Sequence, residues 1–169
     1  MTQYGAILCD PPWSFKTYSD KGLGRSPENH YLCMDLEDMK RLPVPSGESC
    51  ALFMWVVDAH LLEALDLISA WGFNFKTVAF IWDKGKMGLG YWSRKEAEIC
   101  LLATCGKPKR LHRDVRQIIR APRREHSRKP DAIYDRIERL VGGPYLEMFS
   151  RTDRPGWDAI GNQTGMFKS

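Results

Sequence analysis

The sequence predicts an α/β sandwich with a largely parallel sheet. Short apolar runs alternate along the chain with segments in which apolar residues recur at helical spacing, as strands and helices packed in layers require. The run at residues 50–57 is apolar throughout, as expected of a strand covered on both faces. A chain of 169 residues, 43% of them hydrophobic, suffices for one core, so we expect a single domain over residues 1–169.

The first strand is predicted at residues 4–9. This apolar run ends at Asp10-Pro11-Pro12, and prolines, which have no backbone N–H, favour the end of a strand. The polar residues 14–27 follow as a loop. Asp35 is a good N-cap, so a short helix is expected over residues 35–42.

Two longer helices are predicted further along the chain. The first begins at Asp58 after the strand at residues 50–57, ends at Gly72, and has these apolar residues at helical spacing: Leu61, Leu62, Leu65, Ile68 and Trp71. The second begins near Pro130, ends at Gly142-Gly143, and carries its apolar residues on one face: Ile133, Tyr134, Ile137 and Leu140.

The remaining apolar runs predict four more strands, at residues 75–82, 98–104, 115–121 and 145–149. Residues 84–90 are rich in glycine and lysine, which indicates a loop.

Cysteine usage and hydropathy argue against a secreted or membrane protein. The five cysteines contain no C-x-x-C pair, so we expect free thiols rather than a disulfide framework, and no metal site. The longest apolar run has eight residues, too few to span a bilayer, and the N-terminus lacks the pattern of a signal peptide. These features predict a cytoplasmic protein.

Positive charge is concentrated in one segment. The net charge is +4, yet residues 107–129 contain ten lysines and arginines against two acidic residues. One interpretation is a solvated loop and strand face. The other is an edge that binds the phosphates of nucleic acid, because clustered cations gain affinity by releasing counterions.

The tetrapeptide Asp10-Pro11-Pro12-Trp13 follows the first strand, where ligands bind in open α/β sheets. Its residue types suit methylation of an exocyclic amine. A carboxylate and a backbone carbonyl held by the prolines would accept the two N–H bonds of the amine and localise its lone pair, and an aromatic ring offers a face for an extruded base. The alternative is a proline-rich turn.

Several ordered segments resemble one family. Together with the tetrapeptide, they are similar to the DPPW-type N6-adenine methyltransferases, a family that includes the catalytic subunit of the messenger-RNA adenosine methyltransferase and small bacterial and phage members. The similarity spans roughly residues 5–163 and is carried by residues 31–39, 52–56, 90–98, 126–140, 145–151, 156–157 and 161–163.

The resemblance implies a Rossmann-like fold that uses S-adenosylmethionine as methyl donor. It also implies a permuted order, with the catalytic motif first in the chain and the donor-binding strand last. Residues 152–154 depart from the loop of the eukaryotic catalytic subunit, which puts donor contacts there in doubt. The donor contacts carried over from the family are Asp10, Lys129, Glu147, Phe149, Arg151, Asn162 and Gln163.

The resemblance also implies where nucleic acid binds. Tyr31 is expected near the acceptor base, with packing under the loop as the alternative, and Trp92, Arg94 and Lys95 are candidate substrate contacts. The phosphate contacts expected from the basic segment are Arg113, Arg116, Arg123 and Arg124.

The function predicted from these features is methylation of the N6 amine of adenine in DNA, in the cytoplasm of a bacterial or phage-infected cell. Two alternatives stay open, namely an N6-adenosine methyltransferase acting on RNA and a non-catalytic nucleic-acid-binding subunit. A homodimer or a partner subunit is compatible with either activity.

Overall fold

The computed structural model describes residues 2–13, 33–161 and 167–168. These residues form three α-helices, α1 (Leu36–Lys40), α2 (Leu61–Ala70) and α3 (Ala132–Leu140). They also form nine strands: β1 (Tyr4–Cys9), β2 (Ser46–Val56), β3 (Asn74–Gly88), β4 (Lys95–Cys105), β5 (Ile118–Arg120), β6 (Tyr145–Met148), β7 (Thr152–Asp153), β8 (Trp157–Ile160) and β9 (Phe167–Lys168).

Seven strands form one sheet in the order β5-β3-β4-β2-β1-β6-β8. All pairings are parallel except those of β4, which runs antiparallel to both β2 and β3. The predicted α/β sandwich with a largely parallel sheet is therefore confirmed. Strands β7 and β9 pair separately.

The predicted loop at residues 84–90 is wrong. Strand β3 continues to Gly88, which lies opposite Lys95 of β4, so the two strands form a long hairpin. The glycines and lysines of this segment hid the strand because both of its faces are largely open to solvent, and no apolar alternation is then required.

The sheet carries a separate apolar layer on each face. Side chains of β1 alternate between them, with Ile7 on the α2 side and Leu8 on the α3 side. Leu67 of α2 packs in the first layer and Ile137 of α3 in the second. Leu62, expected on the apolar face of its helix, is instead 81% exposed.

The N-cap predicted at Asp35 is confirmed, because its side chain accepts a hydrogen bond from the backbone N–H of Asp38 at 2.8 Å. Strand β8 was not predicted from the sequence. It pairs with β6, so that Glu147 of β6 lies opposite Ala159. In the part of the chain that the structure describes, no helix is long and apolar enough to cross a membrane.

Candidate active site

Asp10 lies directly after β1, between the carboxyl ends of β2 and β6. From β1 the chain continues into β2 on one side of it, and later returns to place β6 on the other side. Open α/β sheets bind ligands at such a switch point. The two prolines hold the backbone here through hydrogen bonds. The Pro11 carbonyl accepts one from Trp13 N–H and the Pro12 carbonyl accepts one from Met34 N–H, each at 2.9 Å. Each carbonyl keeps a second lone pair for another donor.

Trp13 differs from its prediction as an open stacking face. Its side chain is 5% exposed and packs in the core layer beside β2 and α2. The indole stacks on the ring of His60, with centroids 5.4 Å apart and planes inclined by 10°. A ring buried in this way anchors the backbone that follows β1, and the short bridge from Trp13 to Met34 adds to this anchoring.

Lys129 touches Asp10. Its ammonium nitrogen Nζ is 3.1 Å from Asp10 Oδ2 and 3.1 Å from Glu98 Oε2, and it donates to the Ser127 carbonyl at 3.3 Å. Three acceptors occupy the three N–H bonds of the ammonium. A carboxylate of the methyl donor, which Lys129 is expected to contact, would have to replace one of these acceptors. The Ser127 carbonyl is the most distant of the three.

Sequence reasoning missed the charged residues behind Lys129. Glu98 binds Lys129 through Oε2 and Lys84 through Oε1, the latter at 2.7 Å. These residues and Asp10 form a line of alternating charge from β3 across β4 to the end of β1. The available signal was Glu98 itself, an acidic residue directly before the buried apolar run of β4.

Glu147 stands on β6, beside β1, and faces two hydroxyl groups. Tyr134 donates to its Oε2 at 2.9 Å and Ser150 donates to the same oxygen at 3.1 Å. Burial raises the pKa of the Glu147 carboxyl to about 7, against the opposing effect of these two hydrogen bonds. Tyr134 had been assigned only to the apolar face of its helix.

A tight turn after β6 sets the direction of the residues that follow Glu147. Phe149 has φ +60°, in the left-handed region, and Ser150 is buried with its Oγ accepting a hydrogen bond from the Thr152 N–H at 3.1 Å. A Cβ at Gly161 would lie 2.5 Å from the Ser150 backbone, so only glycine permits this approach. The turn places Phe149 and Arg151 at the cleft beside Glu147.

These residues line a cleft that opens to solvent. Of the predicted donor contacts, the structure brings together Asp10, Lys129, Glu147, Phe149 and Arg151. Tyr31, Asn162 and Gln163 lie outside the described residues. Among the described residues, the cleft is lined by Leu8, Asp10, Trp55, Arg128, Lys129, Ile133, Tyr134, Glu147, Phe149, Arg151 and Thr152.

The hairpin of β3 and β4 extends past the carboxyl edge of the sheet. At its tip, Tyr91 and Trp92 are 89% and 93% exposed, and their rings meet edge to face with centroids 6.5 Å apart. Arg94 is exposed beside them. Lys95, predicted to touch nucleic acid, forms an ion pair with Asp58 that ties the hairpin to the segment before α2.

The basic segment does not form one edge around the site. Lys107 follows β4, whose last residue Cys105 lies opposite Cys50, at the end of the sheet away from Asp10. That end is roughly 20 Å from the carboxyl edge, at about 3.3 Å per residue over six residues. Because β5 runs parallel to β3, the chain returns to the carboxyl edge only at Arg120.

The four predicted phosphate contacts therefore separate. Arg113 and Arg116 are exposed in the segment between β4 and β5. The Arg116 carbonyl accepts a hydrogen bond from Arg136 at 2.7 Å. Arg123 is exposed at the carboxyl edge and donates to the Met87 carbonyl at 3.4 Å. Arg124 points into the fold, where it binds Asp131 at 2.9 Å and the Lys129 carbonyl at 2.6 Å.

Comparison with known proteins agrees with this geometry. The Type II methyltransferase M.MunI of Mycoplasma sp is 33% identical to the chain, in a match that covers 94% of the chain and 77% of that protein. An N(6)-adenosine-methyltransferase MT-A70-like protein of Drosophila melanogaster is 30% identical, covering 95% of the chain and 27% of that protein. The human N(6)-adenosine-methyltransferase catalytic subunit METTL3 is 28% identical, covering 95% and 28% respectively.

The chain thus matches most of the bacterial relative but spans only about a quarter of the length of the animal relatives. The family model described as MT-A70 matches residues 4–163, which include every described residue of the cleft. The chain therefore belongs to the MT-A70 family of methyltransferases.

Proposed function

We propose that this protein transfers a methyl group from S-adenosylmethionine to the N6 amine of adenine in DNA. The observation that carries the proposal is the position of Asp10-Pro11-Pro12 beside a cleft that Glu147, on the neighbouring strand β6, also lines. Membership of the MT-A70 family supports the same chemistry.

The chemical groups of the cleft fit the donor. Glu147, an acceptor at the end of a strand, suits the hydroxyl groups of a ribose. Arg128 and Arg151 supply positive charge for a carboxylate, and Leu8 and Ile133 supply apolar surface. The Asp10 carboxylate supplies negative charge for an ammonium or sulfonium group. S-adenosylmethionine, when bound, supplies an electrophilic methyl group.

Asp10 acts on the acceptor amine. The nitrogen of an adenine amino group is a poor nucleophile because its lone pair is delocalised into the ring. Lys129 occupies Asp10 Oδ2, which leaves Oδ1 to accept one N–H of the amine. The second lone pair of a proline carbonyl can accept the other N–H, which localises the lone pair on nitrogen. As the new N–C bond forms, the amine loses one proton, and Asp10 is placed to receive it.

The path for the polynucleotide runs across the carboxyl edge of the sheet. Tyr91 and Trp92 at the hairpin tip provide open aromatic surfaces on which bases can stack. The exposed cations on this edge are suited to phosphates, and we assign that role to Lys86, Arg94, Arg120 and Arg123. Arg124 and Lys95 are left out because each is held in an ion pair with its side chain about one third exposed or less, whereas the side chain of Arg120 is 75% exposed and lies 3.9 Å from Asp83.

DNA is placed first because the Mycoplasma relative, 77% of which the match covers, is called a type II methyltransferase. RNA is the alternative, supported by the relatives named adenosine methyltransferases.

The test incubates the protein with methyl-labelled S-adenosylmethionine and, separately, duplex DNA, single-stranded DNA or RNA. Digestion to nucleosides then identifies the labelled product. We expect N6-methyldeoxyadenosine, and a loss of about 10²–10³ in rate for Asp10→Asn. Asp114→Asn, a change of the same type in an exposed ion pair with Arg139, is the matched control and should keep full activity. Label in RNA alone would assign the substrate to RNA, and label in no polynucleotide would reject the proposal.

A further inference from the structure

A line of four charges runs from the inside of the fold to the catalytic carboxylate. Lys84 and Lys129 bind the two oxygens of Glu98, and Lys129 also binds Asp10. The two lysines lie over two tryptophans, with Lys84 5.1 Å from the centre of the Trp82 ring and Lys129 5.8 Å from that of Trp55. Two cations and two carboxylates leave the line neutral.

Glu98 is the centre of this line and its most protected member. Its side chain is 13% exposed, against 34% for Asp10. Burial would raise the pKa of Glu98, but Lys129 and Lys84 outweigh burial and hold it below its usual range. Burial likewise disfavours the charge of Lys129, yet Asp10 and Glu98 together raise the pKa of its ammonium to about 12.

From this geometry we infer that Glu98, anchored by Lys84, is a positioning residue that holds the Lys129 ammonium against Asp10. The lysine stem is long and flexible, so its end needs a second fixed partner to stay at one place. Glu98 supplies that partner from a central strand, and Lys84 fixes the remaining oxygen of Glu98. Lys129 then occupies Oδ2 of Asp10 and leaves Oδ1 to the acceptor amine.

This role deepens the proposed function and rests on it. Without Glu98, the Lys129 ammonium has one carboxylate partner instead of two and can swing across Asp10. Reacting groups displaced by about 1 Å can cost about 10²-fold in rate. The inference therefore predicts a defect in turnover, with donor binding nearly unchanged.

The principal variant is Glu98→Gln, which keeps the shape of the side chain and removes its charge. Glu96→Gln is the matched control, because Glu96 lies on the same strand and is exposed. We expect Glu98→Gln to lower kcat about 10- to 100-fold, while the donor Kd measured by calorimetry stays within about threefold of wild type. Glu96→Gln should leave both quantities unchanged.

A second measurement needs no donor and no turnover. The ligand-free protein is treated with an amine-acylating ester, and the modification of each lysine is followed by peptide mass spectrometry. Only the uncharged amine reacts, and each unit by which the pKa of Lys129 falls raises that fraction about tenfold. We expect Lys129 to react at least about fivefold faster in Glu98→Gln than in wild type, with Lys107 as the internal reference.

The results separate the inference from its alternatives. An unchanged rate of Lys129 acylation in folded Glu98→Gln would overturn the inference. A Glu98→Gln protein with a lower melting temperature but the full wild-type kcat, measured where it is folded, would also overturn it. If the Kd for S-adenosylmethionine rises in Glu98→Gln by the same factor by which kcat falls, the four charged residues serve to bind the methyl donor instead. If Glu98→Gln does not fold, Lys84→Gln takes its place, with a smaller change expected in the same direction.

Failure of the proposed function looks different. A wild-type protein that methylates no adenine would reject that proposal, and the acylation measurement on the ligand-free protein would still decide whether Glu98 holds Lys129.

Discussion

Replacing Glu147 by glutamine should remove a pH dependence of stability. The pKa of Glu147 in the folded protein is about 7, against an ordinary value of 4.5, and burial is the main cause. The folded protein therefore binds this proton more tightly than the unfolded chain does. The stability that comes from protonated Glu147 is fully present below pH 4.5 and is lost as the pH rises through about 7.

The size of the effect follows from the two pKa values. A tenfold change in proton affinity corresponds to about 1.4 kcal/mol, so the difference between 4.5 and about 7 corresponds to about 3 kcal/mol. Glutamine is neutral at every pH and keeps an oxygen that can accept from Tyr134 and Ser150. We expect the free energy of unfolding of Glu147→Gln, relative to wild type, to increase by about 3 kcal/mol between pH 4.5 and pH 8.

The assay is urea denaturation of both proteins without donor, at half-unit steps across that pH range. Subtracting the two curves removes the contribution of every other titrating group. Glu48→Gln, at an exposed position on β2, is the control and should follow the wild-type curve at all pH values. If the difference in unfolding free energy between Glu147→Gln and wild type stays constant with pH, the raised pKa of a buried Glu147 carboxyl is refuted.

Two further predictions concern nucleic acid. The double variant Arg120→Ala/Arg123→Ala should reduce the slope of log K against log salt concentration by about one to two. The control double variant Lys107→Ala/Lys109→Ala, at the far end of the sheet, should keep the wild-type slope. Salt titrations of DNA binding, followed by fluorescence anisotropy, compare the two. Equal flattening by both pairs would contradict the proposed path. Trp92→Ala should weaken binding of a single strand by about 1–3 kcal/mol and leave the melting temperature unchanged, and undiminished affinity would remove the stacking role.

Local patterns were enough to predict the elements that carry the chemistry. The end of β1 followed from two prolines, and α3 followed from its apolar spacing, because each signal lies within one short stretch of chain. Glu147 was expected at the site only from the resemblance to the family, and the parallel pairing of β1 with β6 brings it to the same edge as Asp10.

What the sequence did not reveal depends on strand direction and on contacts between distant segments. The antiparallel course of β4 brings Glu98 to the catalytic edge and carries Lys107 away from it, and composition contains neither fact. Trp13 is buried against the ring of His60, which ends a short 3-10 helix before α2. Leu62 is exposed, although its helical spacing placed it among the apolar residues of its helix.

The pairing of β1 with β6 has a consequence for how the protein matures. Ala6 lies opposite Tyr145, so nearly the whole described chain must be synthesised before this edge of β1 is covered. Until then β1 can pair only with β2, and its other edge stays open to unwanted strands. Closing so long a loop is slow, and it is also the step that brings Glu147 beside Asp10. A nascent chain therefore carries its complete catalytic tetrapeptide for most of its synthesis without the wall of the cleft against which a donor could bind.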